Sequence, residues 1–95
     1  MKLRLSQYKE TEGEYYHYCP GCEMMHAIPT MHRNSRGAVW SFSGDMEKPS
    51  FSPSINLDWK VCHYFITNGR IIYCGDCTHP LRGQTVELPE IPEGL

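Results

Sequence analysis

Five thiols carry the plainest chemistry in this sequence, and four of them form two CxxC pairs, Cys19-Pro20-Gly21-Cys22 and Cys74-Gly75-Asp76-Cys77. A short turn between two cysteines aims both sulfurs at one point, and two such turns supply the tetrahedral thiolate set of a structural zinc site. Cys62 is a further candidate ligand, and His26, four residues beyond Cys22, is within reach of the same ion. The competing reading is a set of disulfides or buried apolar thiols. Five is an odd number, so disulfides would leave one thiol over, and no secretory leader opens the chain. The expectation is reduced cysteines, a cytoplasmic protein, and about one zinc bound by Cys19, Cys22 and two of Cys62, Cys74 and Cys77.

A second chemical stretch is Lys48-Pro49-Ser50-Phe51-Ser52-Pro53-Ser54-Ile55. Proline fixes its own φ and biases the preceding residue to extended conformations, so Ser50, Ser52 and Ser54 sit on a stiff backbone. A rigid hydroxyl suits a nucleophile. Composition alone favours an ordinary Ser/Pro connector. Between the two hydroxyls flanking Pro53, Ser54 is preferred as nucleophile, because Ser52 precedes the proline and is confined to a conformation that suits strand pairing.

The elements that must position these groups read as short strands. Leu3-Arg4-Leu5 alternates, Tyr15 to Tyr18 is an aromatic run into the first CxxC, and Met24 to Ile28 is ended by Pro29. Ala38 to Phe42 alternates again, residues 30–37 form a polar, locally basic loop, and Gln84 to Leu88 is a last strand. Thr78 to Gly83 suggests one helical turn capped by Thr78 and ended by Gly83. The strongest signal is Thr67-Asn68-Gly69 between the β-rich runs Val61 to Ile66 and Arg70 to Tyr73, a hairpin over residues 61–74. Its register matters. A two-residue type I′ turn places His63 opposite Cys74 and Cys62 on the other face, whereas a G1 bulge brings Cys62 opposite Cys74. The bulge is the expected form, because it offers the metal another sulfur and frees His63 for chemistry. The fold class is then mostly β with at most a small helical addition: residues 1–95 as a single zinc-clasped domain of about six short antiparallel strands.

With 40% hydrophobic and 21% charged residues the chain reads as globular, and its formal charge of -2 argues against nucleic-acid binding. No apolar run approaches the roughly 20 residues of a membrane helix. A core this small is marginal on apolar burial alone, and a structural zinc site contributes on the order of 10 kcal/mol.

Taken together, the motifs resemble a family of small bacterial and phage proteins, often labelled ammonia monooxygenase, that includes the BubE proteins of bacterial ubiquitin-like conjugation operons. The resemblance runs from Tyr15 to Pro89. It rests on Cys19-Pro20-Gly21-Cys22 with His26, Trp40 to Asp45, Lys48 to Ser54, Cys62 to Ile66 with Asn68-Gly69, and Asp76-Cys77-Thr78-His79 with Gly83 to Val86. It implies a peptidase with a serine nucleophile that processes or removes a ubiquitin-like protein. The match at Ser52-Pro53-Ser54 offers the nucleophile, His63 or His79 the base, and Asp76 or Asp45 the orienting carboxylate; on the bulged register His63 is the base. Ser43, Ser50 and Arg82 depart from the family's usual Asn, Thr and small residue, and Arg82 could alter partner choice. The family's fourth metal ligand shifts between the positions of Cys74 and Cys77, which keeps Cys62 in play.

Three functions follow as alternatives. The first is a zinc-stabilised serine peptidase acting on the tail of a ubiquitin-like protein. The second is a non-enzymatic zinc-clasped module that binds a partner protein through exposed aromatics. The third is a zinc hydrolase with three ligands and an activated water.

Overall fold

The computed structural model describes residues 1–57 and 62–95. Val61, expected to begin the hairpin, lies outside them. The described residues form eight strands: β1 (Arg4–Leu5), β2 (Glu14–Cys19), β3 (Met24–Pro29), β4 (Ser41–Gly44), β5 (Pro49–Leu57), β6 (Cys62–Thr67), β7 (Arg70–Tyr73) and β8 (Thr85–Glu87). They form an antiparallel three-stranded sheet, β1-β2-β3, and an antiparallel five-stranded sheet, β4-β5-β6-β7-β8. The described residues contain no α-helix, and residues 79–83 form turns in place of the expected helical turn. No helix there is long and apolar enough to cross a membrane.

Alternation along each strand sorts the side chains. On β6 Cys62, Tyr64 and Ile66 point inward while His63 and Phe65 face out, and on β7 Ile71 and Tyr73 point inward. These meet Leu3, just before β1, and Cys19 and Ile28 of the smaller sheet in one core. Tyr15 stacks on Phe42 across the sheets at 4.8 Å. Deeper in, Tyr64 Oη lies 2.7 Å from His17 Nε2 and 2.8 Å from His26 Nδ1. One hydroxyl thus ties both strands of the β2-β3 hairpin to the centre of the other sheet.

That junction makes stability depend on pH. Burial, and secondarily the neighbouring His26, push the His17 pKa down from 6.5 to about 3, so the ring is neutral when folded and must lose buried contacts to charge. Unfolded chains bind the proton between those two values, so stability is full above about pH 6.5 and falls as the pH drops toward 3. Thermal unfolding followed across pH 4–7 should show this loss, with a shallower slope in His17→Gln. Equal slopes would assign the acid sensitivity elsewhere.

Two expectations are corrected here. The hairpin takes the two-residue type I′ turn, not the G1 bulge: Thr67 pairs with Arg70, and both Asn68 (φ 49°) and Gly69 (φ 78°) occupy the left-handed region. Asn-Gly meets that demand at both central positions, and the turn's twist matches the flanking strands. The Ser/Pro stretch is not a connector but most of β5, the longest strand. Its prolines fall where strands tolerate them. Pro49 is the first residue, and Pro53 lies in a bulge where β5 has Ser52, Pro53 and Ser54 between the pairs Phe51↔Ile66 and Ile55↔Tyr64, while β6 has only Phe65.

Candidate functional site

Strand β6 carries a cluster on each face, because Cys62 and His63 are neighbours and must point opposite ways. On the inner face, Cys62 Sγ lies 4.0 Å from Cys19 Sγ and 3.4 Å from His79 Nε2, and with Cys22 the four ligand atoms are within 4.8 Å of one another. Zinc bonds of about 2.3 Å to sulfur and 2.0–2.1 Å to nitrogen put tetrahedral edges at about 3.8 Å (S···S) and 3.6 Å (S···N). The spacings fit a tetrahedral ion. The surroundings fit as well. The Cys22 amide donates to Cys19 Sγ (3.3 Å), and Tyr73 Oη sits 3.0 Å from the same sulfur. Cys19 is drawn down to about 5, by its hydrogen bond with Cys62 first and then by Tyr73 and the Cys22 amide, against the burial that pushes it up. His79 is held by the edge of Tyr73 (centroids 4.6 Å apart) and by Gly21, where a Cβ would meet the ring at 2.3 Å.

The second CxxC does not join this cluster. Cys74 continues β7 on the outer face, opposite His63, and its amide donates to the His63 carbonyl at 2.9 Å. Cys77 is buried, but its Sγ donates to His63 O (3.0 Å) and accepts from His63 N–H (3.2 Å). It fastens the 74–77 turn to β6. His79, read from the sequence as a base, takes the place in the cluster that a fourth sulfur was expected to fill. His26 lies instead at the Tyr64 junction.

On the outer face His63 Nε2 is 3.1 Å from Ser54 Oγ, and its Nδ1 is 3.4 Å from Asp76 Oδ2. Hydroxyl, imidazole and carboxylate therefore stand in the order of a nucleophile, its base and the group that orients the base. The β5 bulge sets Ser54, and the Trp40 indole N–H holds its carbonyl at 3.2 Å. Cys77 and the tight 74–77 turn set Asp76. Ser52 lies in the β4 ladder opposite Ser41, and Ser50 Oγ accepts the Asn68 amide at 2.8 Å. Asp45 caps the β4–β5 turn by accepting the amides of Glu47 (2.9 Å) and Lys48 (2.8 Å). These two amides hold its carboxyl below the usual range, with the Lys48 contact the larger cause. Beside Ser54 opens a cavity of about 520 Å³ whose apolar wall includes Val39, Trp40, Pro53 and Leu57. A model of the family described as "Bacterial ubiquitination-like system serine protease (BubE)" matches residues 2–74. The chain belongs to the BubE family. Ser54 and His63 fall within the matched stretch, and Asp76 and His79 beyond it. None of the curated proteins and none of the solved structures matches the chain.

Sequence reasoning missed His79 as a partner of the thiols, because its approach to Cys62 and Gly21 is a tertiary contact with no local signature. It also missed Trp40 as the group that holds Ser54.

Proposed function

We propose that this BubE chain is a zinc-stabilised serine peptidase that cleaves after the C-terminal tail of a ubiquitin-like protein, with Ser54 as nucleophile, His63 as base and Asp76 orienting the imidazole. The observation that carries the reading is the 3.1 Å contact of Ser54 Oγ with His63 Nε2, continued through Nδ1 to a carboxylate. His63 takes the seryl proton as Oγ attacks the scissile carbonyl. It returns that proton to the leaving amine, and water releases the acyl group by the reverse path. Backbone amides receive the oxyanion. The apolar wall beside Ser54 accepts side chains flanking the scissile bond. Cys19, Cys22, Cys62 and His79 would hold zinc on the inner face, where four protein ligands leave no open position and the ion's part is structural.

A fluorophosphonate probe tests the nucleophile directly. It should attach to Ser54, as located by mass spectrometry of peptides, and fail to attach in Ser54→Ala and His63→Ala. Labelling of Ser52 instead, or labelling that persists without His63, would refute the assignment.

A further inference from the structure

We propose that His63, Cys74 and Asp76 form a second zinc site, separate from the inner cluster, and that zinc bound there switches the peptidase off. A ring nitrogen of His63, Cys74 Sγ and an Asp76 carboxylate oxygen all lie within 4.8 Å of one another, and it is Nδ1 that faces the carboxylate, 3.4 Å from Oδ2. Zinc bonds of about 2.0–2.1 Å to nitrogen and oxygen give a tetrahedral edge of about 3.4 Å, so the N···O pair already stands at ligand spacing. An imidazole, a thiolate and a carboxylate are a borderline-soft donor set that suits zinc and disfavours magnesium or calcium.

The scaffold is preset. His63 and Cys74 face each other across the β6-β7 hairpin, joined by the Cys74 amide, and Asp76 returns to them through a turn that Cys77 fastens to the His63 backbone. The site is also open, since the Asp76 side chain is 64% exposed and that of His63 27%. An ion can reach it without disturbing the core, which distinguishes it from the inner cluster.

Inhibition follows from the two nitrogens of one ring. In the active form Nδ1 carries the proton, held toward Asp76, and the Nε2 lone pair faces Ser54 Oγ. Zinc takes the Nδ1 lone pair, so the neutral ring must carry its proton on Nε2, the atom that has to accept one from Ser54. Cys74 releases its thiol proton to solvent as its sulfur binds, and no electrons change hands. Binding of the ion rests only on the three ligands; its inhibitory effect rests on the peptidase reading.

The test titrates zinc chloride into the full chain carrying its first equivalent, against a chromophoric chelator, and counts bound metal. Wild type should take up a second equivalent. Cys74→Ser should keep the first and bind the second about 100-fold more weakly or worse, beyond the 10–100-fold cost of losing even a supporting partner. Asp76→Asn should weaken the second equivalent in the same direction. In parallel, fluorophosphonate labelling of Ser54 should slow as the second equivalent binds, and the ratio of rates with and without zinc should move to one in Cys74→Ser. Equal zinc uptake by wild type and both variants would overturn the site. A second equivalent that leaves labelling unchanged, or speeds it, would overturn the switch. If the chain cleaves and labels nothing, the peptidase reading fails while the metal count still decides the site.

Discussion

Ser54→Ala is expected to lower kcat for cleavage of a ubiquitin-like substrate by several powers of ten, with fold and zinc content intact. The size follows from chemistry: without the hydroxyl no acyl-enzyme forms, and what remains comes from binding and electrostatics alone, as when a serine peptidase loses its nucleophile. Stability should barely change, because Ser54 Oγ lies on the outer face of the sheet and His63, which it contacts, is itself reachable by solvent. His63→Ala should cost a similar factor, and the double variant little more than either alone, since nucleophile and base act as one unit. Asp76→Asn should cost less. Its carboxylate is 64% exposed and screened by water, so the fall in kcat should be smaller than the roughly 10⁴-fold loss that follows when a buried triad carboxylate becomes an amide. The measurement is kcat and KM on a fusion bearing a ubiquitin-like tail. A Ser52→Ala loss with Ser54→Ala unaffected would move the nucleophile to Ser52, and cleavage unchanged in both would leave the protein-binding module as the better account.

The parts of this architecture that were legible in the sequence are those fixed by local rules. The aromatic run before Cys19 became β2 because alternation and β-propensity agree there, and Pro29 ends β3 where a proline stops a ladder. Asn68-Gly69 announced a hairpin, and the consequence of its two-residue form, His63 opposite Cys74 with Cys62 behind, was available from the pleat alone. What failed was the premise that Cys62 shares the Cys74 face. Spacing within a CxxC says that two sulfurs can converge; it does not say which side of a sheet they converge on. Cys74 and Cys77 have that spacing, yet one extends β7 outward and the other is spent on the backbone of His63. The opposite error arose at β5. Two prolines and three serines have the composition of a linker, but a proline at a strand's first residue and another in a bulge cost no ladder hydrogen bond, and β4 and β6 on either side turn the segment into the middle of a sheet. Long-range pairing of this kind has no local signature. The nearness of His79 to Cys62 is likewise tertiary, created by a turn that folds over Gly21.

Removing the metal should have the largest effect on the fold itself. Closing a structural zinc site contributes on the order of 10 kcal/mol, comparable with the whole 5–15 kcal/mol by which a domain is stable, so chelation should abolish the cooperative thermal transition and not merely shift it. The cluster's position explains why. Cys19 ends β2, Cys62 begins β6 and His79 lies beyond β7, so one ion would join both sheets to the turn after the hairpin. Cys19→Ser and Cys62→Ser should each purify with little zinc and melt far below the parent, while Cys74→Ser keeps its structural equivalent and its transition. Gly21→Ala is the sharper test, because it removes no ligand. Its added methyl would lie 2.3 to 2.5 Å from His79 Cε1, Nδ1 and Nε2, so the ring must leave its place over the knuckle and take the fourth ligand with it. Zinc affinity should fall by at least about tenfold, the lower end of what displaced supporting groups cost. Metal analysis and melting of the two glycine variants Gly21→Ala and Gly75→Ala settle the matter, since a Cβ at Gly75 would meet nothing within 4 Å. Equal zinc retention by both, or an apo chain that melts within a few degrees of the holo chain, would mean that His79 is not a ligand or that the ion does not hold the sheets together.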